Sequence, residues 1–263
     1  MTPDLDYLIR IAKIAGDILM DGYLQKHEIY HKGRIDLVTE MDKRSESFLL
    51  GEITRDFPDH SIITEESGFL SGNEDHRWFI DPLDGTSNYA HGVPLFSVTI
   101  AYAYQGALTL AVTLDPTRSH CFSAEREQGA YLNERPIHIS KTEELVDAML
   151  VTGFPYDMEN PNGNNLDNFS SFMSHAQSIR RLGSAAIDLA YVAAGWFDGY
   201  WEMGIHAWDI AAGSLLVKEA GGMVTDLQGN ADFFKSPYAL IAANPVIHAK
   251  ILEVLQANQH GYD

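Results

Sequence analysis

Residues 78–86 read Trp78-Phe79-Ile80-Asp81-Pro82-Leu83-Asp84-Gly85-Thr86, so an apolar run leads directly into two aspartates. The proline fixes its backbone φ angle, and the glycine permits a sharp turn. A strand that enters this turn can direct the Asp81 and Asp84 carboxylates and the Leu83 carbonyl to one place, while the leucine side chain stays in the core. Hard divalent cations bind this mixture of oxygen ligands. The pattern therefore predicts a strand that ends in a metal-binding turn.

An isolated D-x-x-D-G stretch is equally compatible with a structural turn whose aspartates cap backbone groups. Two other acidic positions favour the metal-binding interpretation. Glu65 follows the run Ser61-Ile62-Ile63-Thr64, so it also stands at the end of a predicted strand. Asp209 follows Trp208 at the start of a predicted helix, where an aspartate considered alone is more often an N-terminal cap. Together with the two aspartates of the turn, these acids form a candidate two-metal site.

The composition narrows the possible functions. The chain has 263 residues, of which 45% are hydrophobic and 21% charged, which suits one large domain or two sub-domains that share a core. Its formal net charge of −19 argues against direct nucleic-acid binding and against anionic membranes. A phosphate that approached the acids would be repelled unless cations lay between them. A phosphate ligand would therefore require bound metal ions.

Three features of the sequence favour a cytoplasmic protein. No apolar run approaches the roughly 18–20 residues that cross a bilayer. The sequence Met1-Thr2-Pro3-Asp4 has neither the basic region nor the apolar core of a signal peptide. The single cysteine, Cys121, excludes an internal disulfide and a zinc cluster built from thiolates. We expect a reducing compartment and no membrane contact.

The predicted elements change in style part-way along the chain. The first part contains two helices, the first predicted to begin with Thr2 as its N-cap, beside a largely antiparallel sheet with a hairpin at Gln105-Gly106. The second part alternates helices and strands. We therefore expect a mixed α+β and α/β fold. Its N-terminal sub-domain, 1–140, would carry most of the candidate acids, and its C-terminal sub-domain, 141–263, would carry Asp209.

Metal-assisted phosphoryl transfer suits these residues best. The chain has no P-loop, no G-x-S-x-G elbow and no H-E-x-x-H motif. Two metals about 4 Å apart can clamp the attacking and leaving oxygens of a phosphate. Among the remaining polar residues, His206 is interpreted as a packing residue, Asp188 and Asp198 as structural, and Glu66 as support for its neighbour.

Three stretches resemble the motifs of the inositol monophosphatase family. Residues 63–68, Ile-Thr-Glu-Glu-Ser-Gly, are similar to its first motif, and residues 78–89, ending Thr-Ser-Asn-Tyr, are similar to its signature. Residues 208–213, Trp-Asp-Ile-Ala-Ala-Gly, continuing to Glu219-Ala220-Gly221-Gly222, are similar to its C-terminal signature. The motifs occur in the family's order, and weaker similarity covers nearly the whole chain. The chain resembles the bacterial branch most.

The resemblance implies a layered α/β/α/β/α sugar-phosphatase fold, Mg²⁺ dependence with two or three ions, inhibition by lithium, and a homodimer. By position it assigns the metal ligands Glu65, Asp81, the Leu83 carbonyl, Asp84 and Asp209. It assigns the activation of water to Glu65 and Thr86, with Asp42 as hydrogen-bond partner of Thr86 and Lys32 in a loop that closes on the metals. It assigns the substrate contacts Glu65, Leu83, Asp84, Gly85, Thr86, Gly183, Ser184, Ala185, Glu202 and Asp209.

The resemblance also implies hydrolysis of a small phosphate monoester by a metal-activated water. The expected substrate is myo-inositol monophosphate, because residues 202–209, Glu-Met-Gly-Ile-His-Ala-Trp-Asp, resemble the inositol-type version of their segment. Fructose bisphosphate, galactose 1-phosphate and histidinol phosphate are the alternative substrates. The bacterial branch is also implicated in ribosomal RNA transcription. A binding partner of the transcription machinery with residual phosphatase activity is therefore the alternative of another class.

Overall fold

The computed structural model describes residues 1–25, 29–31, 37–155 and 165–260. The helices of these ranges are α1 (Leu5–Gly22), α2 (Glu40–Asp56), α3 (Thr86–Ala90), α4 (Leu166–Phe172), α5 (Ala185–Ala193), α6 (Ala207–Glu219) and α7 (Pro245–His260). The strands are β1 (Ile29–His31), β2 (Leu37–Thr39), β3 (His60–Thr64), β4 (Gly68–Leu70), β5 (Asn73–Asp84), β6 (Ser97–Tyr104), β7 (Ala107–Asp115), β8 (His120–Glu125), β9 (Gly129–Leu132), β10 (Arg135–Ile137), β11 (Met149–Thr152), β12 (Ser178–Arg180), β13 (Gly199–Ile205), β14 (Met223–Thr225) and β15 (Tyr238–Ala243). Strands β1 and β2 pair with each other as a two-stranded ribbon.

The larger sheet has eight strands in the order β10-β9-β8-β7-β6-β5-β3-β4. Its neighbours run antiparallel except β3 and β5, which run parallel. Strand β5 contributes apolar side chains to both faces of the larger sheet, because successive side chains of a strand point to opposite sides. Trp78 and Ile80 pack with α1 and α2, whereas Phe79 packs with α5 and α6. The predicted hairpin at Gln105-Gly106 is confirmed between β6 and β7, and both residues have positive φ.

The smaller sheet has five strands in the order β12-β11-β13-β15-β14. Strand β11 runs parallel to both of its neighbours, and the other pairs are antiparallel. Tyr200 and Ala242 face the cluster that contains α5 and α6, and Trp201 and Ile241 face the cluster that contains α4 and α7. Helices α5 and α6 therefore lie between the two sheets. The predicted α/β/α/β/α layering is confirmed.

The two sheets do not share a strand. The larger one ends at Ile137 and the smaller one begins at Met149, yet both contribute side chains to the central cluster around α5 and α6. The division into 1–140 and 141–263 remains a prediction.

The predicted start of the first helix is wrong. Asp4 is the N-cap of α1, and its Oδ1 accepts a hydrogen bond from the Tyr7 N–H at 2.8 Å. An aspartate satisfies a free amide at a helix start as well as a threonine does, so the helix begins two residues later than the Thr2-Pro3 pattern indicated. In the parts of the chain that are described, no helix is long and apolar enough to span a membrane.

Candidate active site

A cavity of about 560 Å³ lies where the end of β5, α3, β13 and the first turns of α5 and α6 meet. Its walls contain every predicted metal and substrate residue, namely Glu65, Asp81, Leu83, Asp84, Gly85, Thr86, Gly183, Ser184, Ala185, Glu202 and Asp209. Asp42 is fully buried behind Thr86. Lys32 lies outside the described residues. The fold therefore brings the candidate residues of both halves of the chain to one place.

A shift of register within β5 explains how two acids three positions apart reach the same cavity. Asp81 pairs with Thr99 of β6 and Asp84 pairs with Ser97, so β5 uses one more residue than its partner. Without this extra residue, positions 81 and 84 would face opposite sides of the sheet. Both acids belong to the end of β5, whereas the sequence placed them just after a strand. The prediction of a sharp turn applies to the next residue, because Gly85 has φ +92°.

Asp84 links the larger sheet to α5. Its Oδ2 accepts hydrogen bonds from the Ser184 hydroxyl at 2.5 Å and from the Ala186 N–H at 2.9 Å, and the Ser97 hydroxyl lies at 3.4 Å. Ser184 is also the N-cap of α5. The first turn of α5 is thereby fixed against the end of β5, which sets the width of the cavity.

Asp209 combines a capping contact with a place in the cavity wall. It stands in the first turn of α6, and its Oδ2 accepts a hydrogen bond from the His206 N–H at 2.9 Å, as a capping residue does. The same carboxylate lines the cavity. One oxygen holds the helix start, which leaves the other for a ligand.

Thr86 and Asp42 form a hydrogen-bonded pair. The Thr86 hydroxyl lies 2.9 Å from Asp42 Oδ1 and 3.0 Å from the Leu83 carbonyl oxygen, and its single proton can be given to either acceptor. Asp42 Oδ2 accepts hydrogen bonds from the N–H and hydroxyl of Thr39, which holds the carboxylate in place. Burial raises the pKa of Asp42 to about 6, against the effect of these donors. Asp42 can therefore accept a hydrogen bond from the Thr86 hydroxyl, whose oxygen can then accept a hydrogen bond from another donor.

The acids of the cavity disfavour one another's charge. Burial raises the pKa of Asp81 well above its usual range, and the neighbouring Glu65, Asp84 and Asp209 raise it further. Burial also raises the pKa of Asp209, and Asp84 and Glu65 add to that effect. Carboxylates that are buried together in this way carry their negative charge readily only when nearby cations balance it.

This set of donors suits a hard divalent cation. The described hydrogen bonds use one oxygen each of Asp81, Asp84 and Asp209, and Mg²⁺ binds such carboxylate and carbonyl oxygens. Within the described ranges, no three acidic, imidazole or thiol groups converge closely enough to hold an ion as they stand. The fold therefore collects the donors in one cavity, and ion binding would draw them together.

Glu202 lines the same cavity from β13. It is buried on β13, and burial raises its pKa to about 7, against the hydrogen bond that the Tyr200 hydroxyl donates to Oε2 at 2.5 Å. The backbone at Gly153 passes so close that a Cβ atom there would overlap the Glu202 carboxylate. The hydrogen bond from Tyr200 and the missing side chain at Gly153 together fix the position of the Glu202 carboxylate.

Comparison with known proteins decides which family this is. The family model for inositol monophosphatases matches residues 1–260. This chain belongs to the inositol monophosphatase family. It is 42% identical to the Nus factor SuhB of Pasteurella multocida over 97% of each chain, and 38% identical to the inositol-1-monophosphatase of Mesorhizobium japonicum over 96% of each. The structure of an inositol monophosphatase from Anabaena, 42% identical, has a TM-score of 0.87 and covers 96% of this chain and 95% of the other.

Two acids of this inositol monophosphatase relative were missed as parts of the site. Glu46 of α2 accepts hydrogen bonds from the Thr64 hydroxyl at 2.6 Å, from the N–H groups of Glu66 and Ser67, and from the Ser67 hydroxyl at 2.7 Å. It therefore holds the turn that carries Glu65. The signal was a glutamate that shares the buried face of α2 with the apolar Leu49 and Ile53.

Asp188 was interpreted as structural, yet it lines the cavity of this family member. It is 1% exposed, and its Oδ1 has no hydrogen-bond partner among the described residues. Burial raises the pKa of Asp188 well above the usual range, and the charges of Glu202 and Asp84 also raise it. Asp198, by contrast, accepts a hydrogen bond from the Met149 N–H at 2.7 Å, as a structural residue does.

The walls also contain two residues that no motif assigned. His206 lines the cavity while its ring stacks on Trp208 at a centroid distance of 4.6 Å, so its predicted packing role and a position at the site coexist. Arg181 lines the cavity near Glu202 and lies over the Phe154 ring at 5.1 Å. Both residues lie in segments next to family motifs. Their place in the cavity wall depends on how the side chains are oriented in the folded protein, which the motifs do not specify.

Proposed function

We propose that this protein hydrolyses a small phosphate monoester in a Mg²⁺-dependent reaction, and that myo-inositol monophosphate is its substrate. The observation that carries the proposal is the convergence of Glu65, Asp81, Asp84 and Asp209 on one cavity beside the Thr86–Asp42 pair. Membership of the inositol monophosphatase family supports the same reaction. Two or three ions would be held by the four carboxylates and the Leu83 carbonyl.

Each residue then has a task in the reaction. Bound Mg²⁺ would neutralise the phosphate charge and make water more acidic. Glu65 and Thr86 orient the attacking water, and Asp42 draws the Thr86 proton away so that the hydroxyl can accept one from water. The new bond forms between the water oxygen and phosphorus as the bond to the alcohol oxygen breaks. The proton lost by the attacking water passes to the Thr86–Asp42 pair, and the leaving alcohol oxygen takes a proton from a solvent water. Lys32 is proposed for the same site from the sequence alone.

The alcohol half of the substrate would lie against Gly183, Ser184, Ala185 and Glu202. Glu202 is held by Tyr200 in a polar wall, which suits a substrate with several hydroxyl groups. Inositol monophosphate meets this requirement. Fructose bisphosphate, galactose 1-phosphate and histidinol phosphate are the competing substrates. A cytoplasmic location and sensitivity to lithium belong to the same proposal.

A panel of phosphate esters with Mg²⁺, scored by kcat/KM, tests the substrate. We expect inositol monophosphate to be preferred. A preference of more than about tenfold for another ester, equal to about 1.4 kcal/mol of transition-state stabilisation, would overturn the inositol assignment. The panel should be repeated with lithium, which is expected to inhibit.

Two neighbouring acids give a matched pair of variants for the reaction itself. Glu65→Gln should reduce kcat by about 10² or more, because it removes both a metal ligand and a group that orients water. Glu66→Gln serves as the control, because Glu66 is adjacent in the chain but is not among the residues that line the cavity. If Glu65→Gln and Asp209→Asn both kept full activity, the metal-dependent mechanism would be wrong.

A second function is favoured by one finding, the identity of 40–42% to several proteins named Nus factor SuhB. We propose as the alternative that the chain binds the transcription machinery. We also propose that it forms a homodimer. A pull-down with RNA polymerase and elongation factors tests this role, and analytical ultracentrifugation tests the dimer. Asp84→Asn should abolish phosphatase activity and leave such binding intact. Loss of both together would show that binding depends on the site.

A further inference from the structure

A second cavity, of about 390 Å³, lies between the larger sheet and the end of α6. Its volume falls in the range of roughly 300–1,000 Å³ that is usual for small-molecule sites. Lys218 near the end of α6 and Asp209 at its beginning are about 14 Å apart along the helix. The cavity shares no lining residue with the active-site cavity.

The acids that line this second cavity already have partners. Both carboxylate oxygens of Glu219 accept backbone hydrogen bonds at 2.9 Å, from the N–H groups of Glu127 and Gly129. Glu74 pairs with an Nη of Arg77 at 2.9 Å. Asp232 forms an ion pair with Lys235. Their negative charge is therefore used within the protein.

The cations of the cavity are less completely paired. Lys218 makes no ion pair with any described residue, and burial lowers its pKa, to which the nearby charge of Arg126 adds. Among the acids of the described ranges, Arg126 contacts only the exposed Glu127, at a distance of 3.8 Å. The buried Nε of Arg77 has no hydrogen-bond partner among the described residues. Three cationic residues, Arg77, Arg126 and Lys218, therefore line one cavity of a chain with a net charge of −19.

Aromatic rings form the apolar part of the wall. Phe79 and Phe234 meet edge to face with centroids 5.0 Å apart, and Phe233 and Phe234 do so at 6.0 Å. The Lys218 Nζ lies 4.7 Å from the centre of the Phe233 ring. A flat apolar body can pack against such rings while its anionic end reaches the ammonium group.

We propose that this cavity, lined by Lys218, Arg126 and the Phe79, Phe233 and Phe234 rings, binds a small aromatic carboxylate. The anionic end pairs with Lys218 and Arg126, and the ring lies on the phenylalanines. Lys218 and Arg126 are exposed to solvent, so a neutral molecule of the same shape would lose only the charge-assisted contacts with them, and the site selects for charge to that extent. The site is independent of the phosphatase proposal.

Calorimetric titration of the full chain with 2-naphthoate tests the proposal. The expected result is saturable binding of one molecule with a Kd of about 0.1–1 mM, as its size allows. The neutral 2-naphthamide should bind at least about tenfold more weakly, since a charge-assisted contact is lost. Equal binding of the two probes, or no saturable binding, overturns the proposal. This comparison uses the wild-type protein and does not depend on any variant folding.

Variants locate the site. Lys218→Met should weaken 2-naphthoate binding about tenfold, and Lys218→Arg should retain most of it. Lys13→Met is the matched control, because Lys13 is exposed on α1, on the other side of the larger sheet, and its loss should change nothing. Binding that is unaffected by Lys218→Met, or that inorganic phosphate with Mg²⁺ abolishes, would place the probe elsewhere and overturn the assignment.

Discussion

Individual side chains of this protein are often held by groups that no motif contains. Glu202 is the clearest case. Its position depends on a hydrogen bond from Tyr200 and on the missing side chain at Gly153. The sequence marked Glu202 through its resemblance to a family segment, but it gave no reason to connect it with residue 153.

Gly153→Ala should shift substrate selectivity. The added Cβ would displace the Glu202 carboxylate, so kcat/KM for inositol monophosphate should fall about tenfold or more. The loss should be smaller for p-nitrophenyl phosphate, which has no hydroxyl groups for Glu202 to bind. Gly51→Ala is the matched control, because a Cβ at that helical position meets nothing within 4 Å. An equal loss for both esters would mean that the substitution acts on the fold rather than on Glu202.

His60 should make stability depend on pH. Burial and the charge of His76 together lower its pKa to about 4, while Nδ1 accepts a hydrogen bond from Trp78 Nε1 at 3.1 Å. The unfolded chain takes up a proton near pH 6.5 and the folded chain does not until about pH 4, so the free energy of unfolding falls as pH decreases through this window. At pH 5 this loss is about 2 kcal/mol.

Denaturant unfolding of the wild type and His60→Phe between pH 7 and 5 measures this loss. The variant lacks the pH-dependent contribution, so the stability of the wild type relative to the variant should decrease as the pH falls. The exposed His91→Phe should follow the wild type. Parallel curves for His60→Phe and the wild type would contradict the prediction.

At the level of helices and strands, the periodic patterns predicted most of what forms. The end of β3 before Glu65, the start of α6 beside Asp209 and the hairpin at Gln105-Gly106 all occur where the patterns indicated. The register shift between β5 and β6 was not predictable, because it depends on which residues of β6 lie opposite Asp81 and Asp84. Register is decided by pairing between strands and not by the residues of one strand.

The contact between α2 and the turn after β3 should matter for both stability and turnover. Glu46→Ala removes the acceptor of four hydrogen bonds and leaves buried donors unpaired, so we expect a loss of about 2–4 kcal/mol in the free energy of unfolding. The turn would loosen, and Glu65 with it, so kcat should fall as well. Urea unfolding and steady-state kinetics measure the two effects.

Two further variants separate these causes. Glu46→Gln keeps an acceptor oxygen and should lose much less stability than Glu46→Ala. Glu40→Ala, which removes an exposed glutamate from the same helix, should be close to neutral. If Glu46→Ala were as stable as Glu40→Ala, the turn would not depend on Glu46.

In the whole molecule, folding brings mutually repelling acids together in the active-site cavity, which lowers the free energy of unfolding. Burial and neighbouring charges raise the pKa values of Asp81 and Asp209, which shows that their charged forms are disfavoured in the folded chain. A cation bound only by the folded state reverses this cost by mass action.

Mg²⁺ should therefore stabilise the protein. At a concentration of about 100 times Kd, the expected gain is about 2.7 kcal/mol in the free energy of unfolding. Asp209→Asn should lose most of that gain, and without Mg²⁺ it should be as stable as the wild type or more so, because one repelling charge is gone while the His206 contact can remain. Thermal unfolding with and without Mg²⁺ measures both effects.

The exposed Asp17 of α1 supplies the control for this experiment. Asp17→Asn removes the same charge from an exposed position that does not line the cavity, and the variant should keep the full response to Mg²⁺. A wild-type protein whose unfolding temperature did not change with Mg²⁺ would argue against the proposed metal site.

The amino-acid order was sufficient to indicate the strand-end acids, the change from an antiparallel sheet to alternating helices and strands, and the hairpin at Gln105-Gly106. These features depend on the periodicity of nearby side chains and on local turn preferences. The family resemblance added the layered fold and the candidate residues Asp42, Gly183 and Glu202 before any distance was known.

Packing between distant segments settled the rest. The β5–β6 register turned Asp81 and Asp84 to one cavity, and the seating of α5 and α6 between the sheets brought Asp209 to them. Glu46 and the aromatic cavity near Lys218 likewise exist only through contacts between segments far apart in the chain. Local patterns cannot specify such contacts, because the free energy that selects them comes from burial and hydrogen bonding across the completed core.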